Sequence, residues 1–105
     1  MTKADFKFKN DSPYSFHISG HAEYDEYGKD IVCSSITTAV FTTLNLLVKV
    51  LKEEDYTFFE NEAEGIIDFV LNNESELASI IILNLLDILK NIEEQYPHNL
   101  KINIK

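Results

Sequence analysis

Residues 20–37 read GHAEYDEYGKDIVCSSIT, and the fold turns on where this stretch changes character. Up to Asp30 it is a polar, acidic loop; from Ile31 to Val48 it runs for eighteen positions without a charge. A helix should begin at that change. Asp30 is a good N-cap residue, so Ile31, Val32 and Cys33 are expected as the first three helical positions. The only cysteine, Cys33, then sits beside unpaired backbone N–H groups and the positive end of the helix dipole. A thiol there ionises more readily than a free one, whose pKa is about 8.5. His21 lies twelve residues upstream, across a loop long enough to fold back. A neighbouring imidazole is the usual base that makes a thiol nucleophilic. The plainer alternative is a small buried cysteine and a solvated loop histidine, and residue types alone leave both readings open.

Working outward, the segment before the loop reads as a hairpin. Phe6 and Phe8 alternate with Asp5, Lys7 and Lys9, and Tyr14, Phe16 and Ile18 alternate with Ser15, His17 and Ser19. Asn10 to Pro13 supply the turn. His17 falls opposite the aromatics, on the wet face. Gly20 ends the second strand and lets the backbone turn sharply, which places His21 at a strand tip.

After the loop, Ile36, Val40, Leu44, Leu47 and Leu51 form a helical stripe that predicts a helix from Asp30 to about Lys52. The uncharged run has the length of a membrane span, but it carries two Ser, four Thr and one Asn, and is read as a buried helix of a soluble protein. Thr37, one turn beyond Cys33, shares its face. Its hydroxyl has two expected uses, a bond to the thiolate or loop and back-bonding to the carbonyl four residues earlier. Tyr56 to Phe59 and Gly65 to Leu71 read as two strands around an acidic turn at residues 61–64. A second helix follows, capped by Ser75, with a core stripe of Leu77, Ile81, Leu85, Ile88 and Ile92. Ala78, Ile82, Leu86 and Leu89 widen that stripe enough to demand two burial partners. Tyr96 and Pro97 end it. Leu100, Ile102 and Ile104 alternate as a last strand. The expected architecture is α+β: a mixed, mostly antiparallel sheet of about five strands with two long helices packed on one face, in a single domain over residues 1–105.

Composition narrows the classes. There are 9 Lys and no Arg against 18 acidic residues, a net charge of −9. With no guanidinium fork and a negative balance, neither nucleic acid nor an anionic membrane is an expected partner; a basic protein is. One cysteine forms no internal disulfide, and MTKADFKFKND lacks the apolar core of a secretion signal, so the cytoplasm is the expected compartment. His21, Glu23, Asp25 and Glu26 lack the spacing of a zinc or calcium site, and neither a metal nor a cofactor is expected.

GHA, followed by a loop ending in YGKDIVC and then small hydroxyl residues, resembles the ribosomal-processing cysteine protease family, Prp. The likeness extends to the order of strands and helices over nearly the whole chain. It implies a catalytic pair that falls on His21 and Cys33, with the motif aspartate at Asp30. It implies a helical serine where this chain has Thr37, a hydroxyl with an added methyl. Ser34 and Ser35 stand where small residues usually follow the cysteine. It also implies a homodimer and a peptide substrate, the N-terminal extension of a large-subunit ribosomal protein precursor.

The expected chemistry is proton transfer from Cys33 to His21, attack of the thiolate on a peptide carbonyl, and stabilisation of the oxyanion by the backbone N–H of Cys33 and of Ser34. Asp30 has two readings, N-cap to the Cys33 amide or orienter of His21, and its spacing favours the first. Two other classes compete with the protease. One is a non-catalytic dimeric ribosome-assembly binding factor, in which Cys33 never turns over. The other is a thiol redox sensor, disfavoured because the chain has no resolving cysteine.

Overall fold

The computed structural model describes residues 1–26 and 30–105. Strands β1 (Thr2–Lys9) and β2 (Ser12–Ser19) lead into helix α1 (Ile31–Asn45), which continues as a π-helical turn, Leu46–Val50. Strands β3 (Tyr56–Asn61) and β4 (Ile66–Leu71), helix α2 (Glu76–Gln95) and strand β5 (Leu100–Ile104) complete the order. The sheet runs β3-β4-β2-β1-β5. Its neighbours are antiparallel except β1 and β5, which run parallel. This is the expected α+β arrangement, a mixed five-stranded sheet with two helices on one face.

The first hairpin closes more tightly than its polar turn residues suggested. Asn10 (φ 51°) and Asp11 (φ 66°) are both left-handed, the two-residue turn whose twist matches the flanking strands. Ser12 and Pro13 therefore belong to β2, and the register slips between Lys7 and Phe8, opposite Pro13. Alternation sends Ala4, Phe6, Phe16, Ile18, Phe69 and Leu71 to the helix side, all buried. Phe6, Phe16 and Phe69 line up across β1, β2 and β4, with centroids 6.1 and 5.3 Å apart, and Tyr56 of β3 stacks on Phe69 at 5.4 Å. On the other face Asp5, His17 and Asp68 stand in one cross-strand row. His17 Nδ1 meets Asp68 Oδ1 at 3.0 Å, so this histidine lies on the wet face, as expected, but paired to a carboxylate.

Helix α1 buries Val32, Ile36, Ala39, Val40, Thr43 and Leu44, and Leu47 continues the stripe. Residues Ile31–Val50 are long and apolar enough to cross a membrane, yet this stripe lies in the core. The α-helical pattern stops at Asn45, short of the expected Lys52. Beyond it Leu51 N–H bonds the Leu46 carbonyl at 2.8 Å, and Lys52, at φ 60°, turns the chain out of the helix. Helix α2 starts at the expected cap: Ser75 Oγ accepts from Ala78 N–H at 3.3 Å. Its core face takes residues from both overlapping stripes: Ala78, Ile82, Leu85, Leu86 and Leu89 are buried, and Ile81 and Ile92 pack against the core. Leu77 is 61% exposed and Ile88 37%. With apolar residues around most of the helix, packing centres the core on Ala78, Ile82, Leu85 and Leu89 and leaves Leu77 and Ile88 at its edge.

Helix α2 lies on β2 and β5, and α1 packs chiefly on α2. The Phe16 ring carries the sheet side of this core. Phe16→Ala is expected to lower the unfolding free energy by about 3–5 kcal/mol. Phe59→Ala, on the open face, should cost less than about 1 kcal/mol. Urea unfolding monitored by circular dichroism measures both.

Candidate active site

Asp30 builds the start of α1. Its side chain, almost wholly buried, takes the Cys33 N–H on Oδ1 at 2.9 Å and the N–H groups of Tyr24 and Asp25 on Oδ2 at 2.8 and 3.3 Å. One carboxylate thus caps the helix and closes the loop onto it. Burial pushes its pKa up, but the backbone N–H groups of Cys33, Tyr24, Asp25 and Val32 outweigh that and hold it below the ordinary aspartate value. The N-cap reading of Asp30 describes this geometry. Tyr24 also sets its ring edge-on against Tyr96, centroids 5.3 Å apart, tying the loop to the end of α2. Gly28 and Lys29 of the sequence motif, and Tyr27 before them, lie outside the described residues.

His21 is held from both sides. Gly20, at φ 81°, makes the turn at the tip of β2, and a Cβ there would meet the Met1 carbonyl oxygen at 2.8 Å. Ala22 is fully buried, and its carbonyl accepts from Asn99 Nδ2 at 3.0 Å. The His21 ring, half-buried, places Nε2 at 3.4 Å from the Ala63 carbonyl oxygen in the turn between β3 and β4.

A cavity of about 1000 Å³ opens where α1 stands off the sheet, and Gly20, His21, Asp30, Cys33, Ser34 and Thr37 all line it. Every site residue read from the sequence therefore borders one space. Its walls are apolar, from Ile18, Ile36, Val40, Phe41 and Ile67, while Glu23, Asp25, Glu60 and Glu62 bring carboxylates to it. Cys33 is partly buried and Thr37 exposed. The space suits an extended peptide with apolar side chains at the thiol and positive charge at the rim.

One expectation needs correction. The N–H groups of Cys33 and Ser34, read as oxyanion donors, already have partners: Cys33 bonds the Asp30 carboxylate, and Ser34 N–H bonds the Asp30 carbonyl at 3.0 Å. The Ser34 hydroxyl bonds that same carbonyl, also at 3.0 Å. The cap carboxylate satisfies the Cys33 amide, and the Ser34 amide makes the first rung of the helix ladder. Sequence reading also missed the turn residues Asn61, Ala63 and Gly65. The acidic turn was visible, but its place beside β2 follows from a pairing between β2 and β4 some fifty residues apart, His17 with Asp68.

Known proteins resemble this chain in sequence and in fold. A sequence model described as cysteine protease Prp matches residues 1–101. The chain belongs to the Prp family. It is a cysteine protease by that membership. The Prp named ribosomal processing cysteine protease in Staphylococcus aureus is 34% identical over 89 residues, covering 84% of this chain and 83% of that one. Its Bacillus subtilis counterpart is 28% identical over 95 residues, covering 84% and 82%. The crystal structure of S. aureus Prp with a covalently linked product peptide superposes with a TM-score of 0.92 at 26% identity over the full length of both chains. A second S. aureus structure, in complex with a substrate peptide, gives 0.85 at 25%.

The depressed pKa of Asp30 fixes a sign. A carboxylate whose folded pKa lies below its unfolded value stabilises the fold above the unfolded pKa, about 3.9, and that contribution is lost as pH falls through the folded value. Asp30→Ala is expected to cost about 1–2 kcal/mol at pH 7. The gap between variant and wild type should shrink by pH 3, measured by urea unfolding at both pH values. A gap that stays constant would show that the ionised carboxylate is not its source.

Proposed function

We propose that this chain removes the N-terminal extension of a large-subunit ribosomal protein precursor, with His21 and Cys33 as its catalytic dyad. The observation that carries this is the placement of both side chains on one cavity, the thiol at a capped helix start and the imidazole at a strand tip. His21 takes the Cys33 thiol proton, and the sulfur attacks the scissile carbonyl carbon. As the tetrahedral adduct collapses, the C–N bond breaks and protonated His21 gives its proton to the leaving amine. Water, deprotonated by the now neutral His21, then attacks the thioester, releasing the new carboxyl terminus and the free thiol.

The positive end of the helix dipole faces the oxyanion that forms beside Cys33. Because the Cys33 amide already bonds a carboxylate, an oxyanion has to compete with Asp30 for it. Thr37 stands one turn along the same face to support the thiolate. The carboxylates of Glu23, Asp25, Glu60 and Glu62 favour a basic substrate segment, the kind that ribosomal proteins offer. A net charge of −9 disfavours nucleic acid and anionic membranes as partners, and the reaction is proposed to take place in the cytoplasm. The apolar side of α2 left exposed by the fold, with Leu77, Ile80, Leu83 and Ile88, supports a homodimer.

Incubation with the extended ribosomal protein of the same organism, read by fragment mass, tests the reading. Wild type should give a single cut, and Cys33→Ser and His21→Ala none. An intact precursor held in a stable complex with wild type would overturn the protease assignment for this substrate and favour a binding factor.

A further inference from the structure

The turn between β3 and β4 reaches back to the tip of β2. Gly65, at φ 66°, lies so close that a Cβ there would meet the Gly20 carbonyl oxygen at 2.8 Å and His21 Cε1 at 3.2 Å. Ala63, two residues earlier, presents its carbonyl oxygen to His21 Nε2 at 3.4 Å. The turn is itself braced: Gly65 N–H bonds the Glu62 carbonyl at 3.1 Å, and Glu64 N–H bonds Asn61 Oδ1 at 3.2 Å. A carbonyl oxygen only accepts, so the ring nitrogen that bonds it must carry the hydrogen. Neutral imidazole has one such hydrogen, and the partner of one nitrogen therefore decides the state of the other.

From this geometry we infer that the Ala63–Gly65 turn is the positioning element of the site: it fixes His21 as the Nε2–H tautomer and so makes Nδ1 the basic nitrogen. This rests on the reading of His21 as the base for Cys33, although the tautomer itself does not. Ala63 acts through its main chain and Gly65 through the absence of a side chain; neither need touch substrate. The bond suits the whole cycle. When Nδ1 gains the thiol proton, Nε2–H still points at the same carbonyl, and when Nδ1 gives that proton to the leaving amine the ring has not turned. A Cβ at position 65 meets a backbone oxygen, which cannot swing aside as a side chain would. The turn must move outward, and the Ala63 carbonyl moves with it. An error of about 1 Å in positioning a catalytic group can cost on the order of a hundredfold in rate.

Long-range proton–nitrogen NMR of the histidine rings reads the tautomer directly, with the 3 histidines assigned from His17→Gln, His21→Gln and His98→Gln. In neutral wild-type protein His21 is expected to carry its proton on Nε2, with two well-separated nitrogen signals. Gly65→Ala should average those signals and lower kcat by roughly ten- to a hundredfold with KM little changed. Gly65→Asn provides a second variant, since asparagine tolerates the left-handed conformation but still adds a Cβ. It should keep a melting temperature nearer wild type and show the same tautomer averaging and loss of kcat. A wild-type His21 protonated on Nδ1 overturns the inference, as does a folded Gly65→Asn with unaltered nitrogen signals and kcat. The two readings also fail separately. Cleavage that needs Cys33 and His21 while His21 is Nδ1-protonated sinks the positioning role and leaves the dyad. An Nε2–H tautomer that averages in both Gly65 variants, in a protein that cuts nothing, sustains the positioning role and sinks the dyad.

Discussion

A single buried carboxylate decides whether this site exists. Asp30 gathers backbone N–H groups from two directions, Cys33 on the helix and Tyr24 and Asp25 on the loop. Burying a charge is costly unless it is matched by hydrogen bonds, and here the amides do the matching. Each amide is in turn an orphan that the helix start or the loop would otherwise leave unsatisfied. The arrangement is reciprocal, so the loop and the helix start hold each other. Cys33 comes third in the helix and takes its place from that junction.

Histidine and thiol reach the cavity by unrelated routes. The thiol rides on α1, whose order comes from an apolar stripe packed in the core and from one cap. The imidazole depends on the sheet: β2 carries it, the residues around Gly20 and Asn99 fix its backbone, and the turn after β3 meets its ring. The space between them exists because α1 packs chiefly on α2 and leaves the end of β2 and β4 partly uncovered. A substrate chain entering there would find apolar walls and an acidic border.

Much of this was legible in the residues. Alternation in Phe6–Phe8 and Tyr14–Ile18 gave the first hairpin, and the spacing of Ile36, Val40 and Leu44 gave α1 with its buried face. Asp30 and Ser75 were recognisable as caps because their side chains satisfy amides only two or three residues away. What escaped was decided by distant contacts. Helix α2 is apolar around much of its girth, and only packing centres the core on Ala78, Ile82, Leu85 and Leu89 and leaves Leu77 and Ile88 at the edge. The π-helical end of α1 has no periodic signal, because Leu47 and Leu51 fit a continuing helix equally well. At the site, residue types suggested open amides at Cys33 and Ser34, whereas the cap that sequence also implied closes the first and the helix ladder closes the second. Local rules identified each part but not their competition for the same hydrogen bonds.

The pairing of β1 with β5 has a consequence in time. Asn103 bonds Asp5 across a sequence separation of 98 residues, and Asn99 bonds Ala22 across 77. Chains grow at roughly 5–20 residues per second, so some 4–15 s separate the appearance of the His21 region from that of the residue that anchors its backbone. During that interval the thiol has been made, and its helix has the residues it needs, but the strand tip carrying the imidazole lacks its last support. A nascent copy therefore carries Cys33 on a helix whose residues are all made before the backbone at His21 is braced.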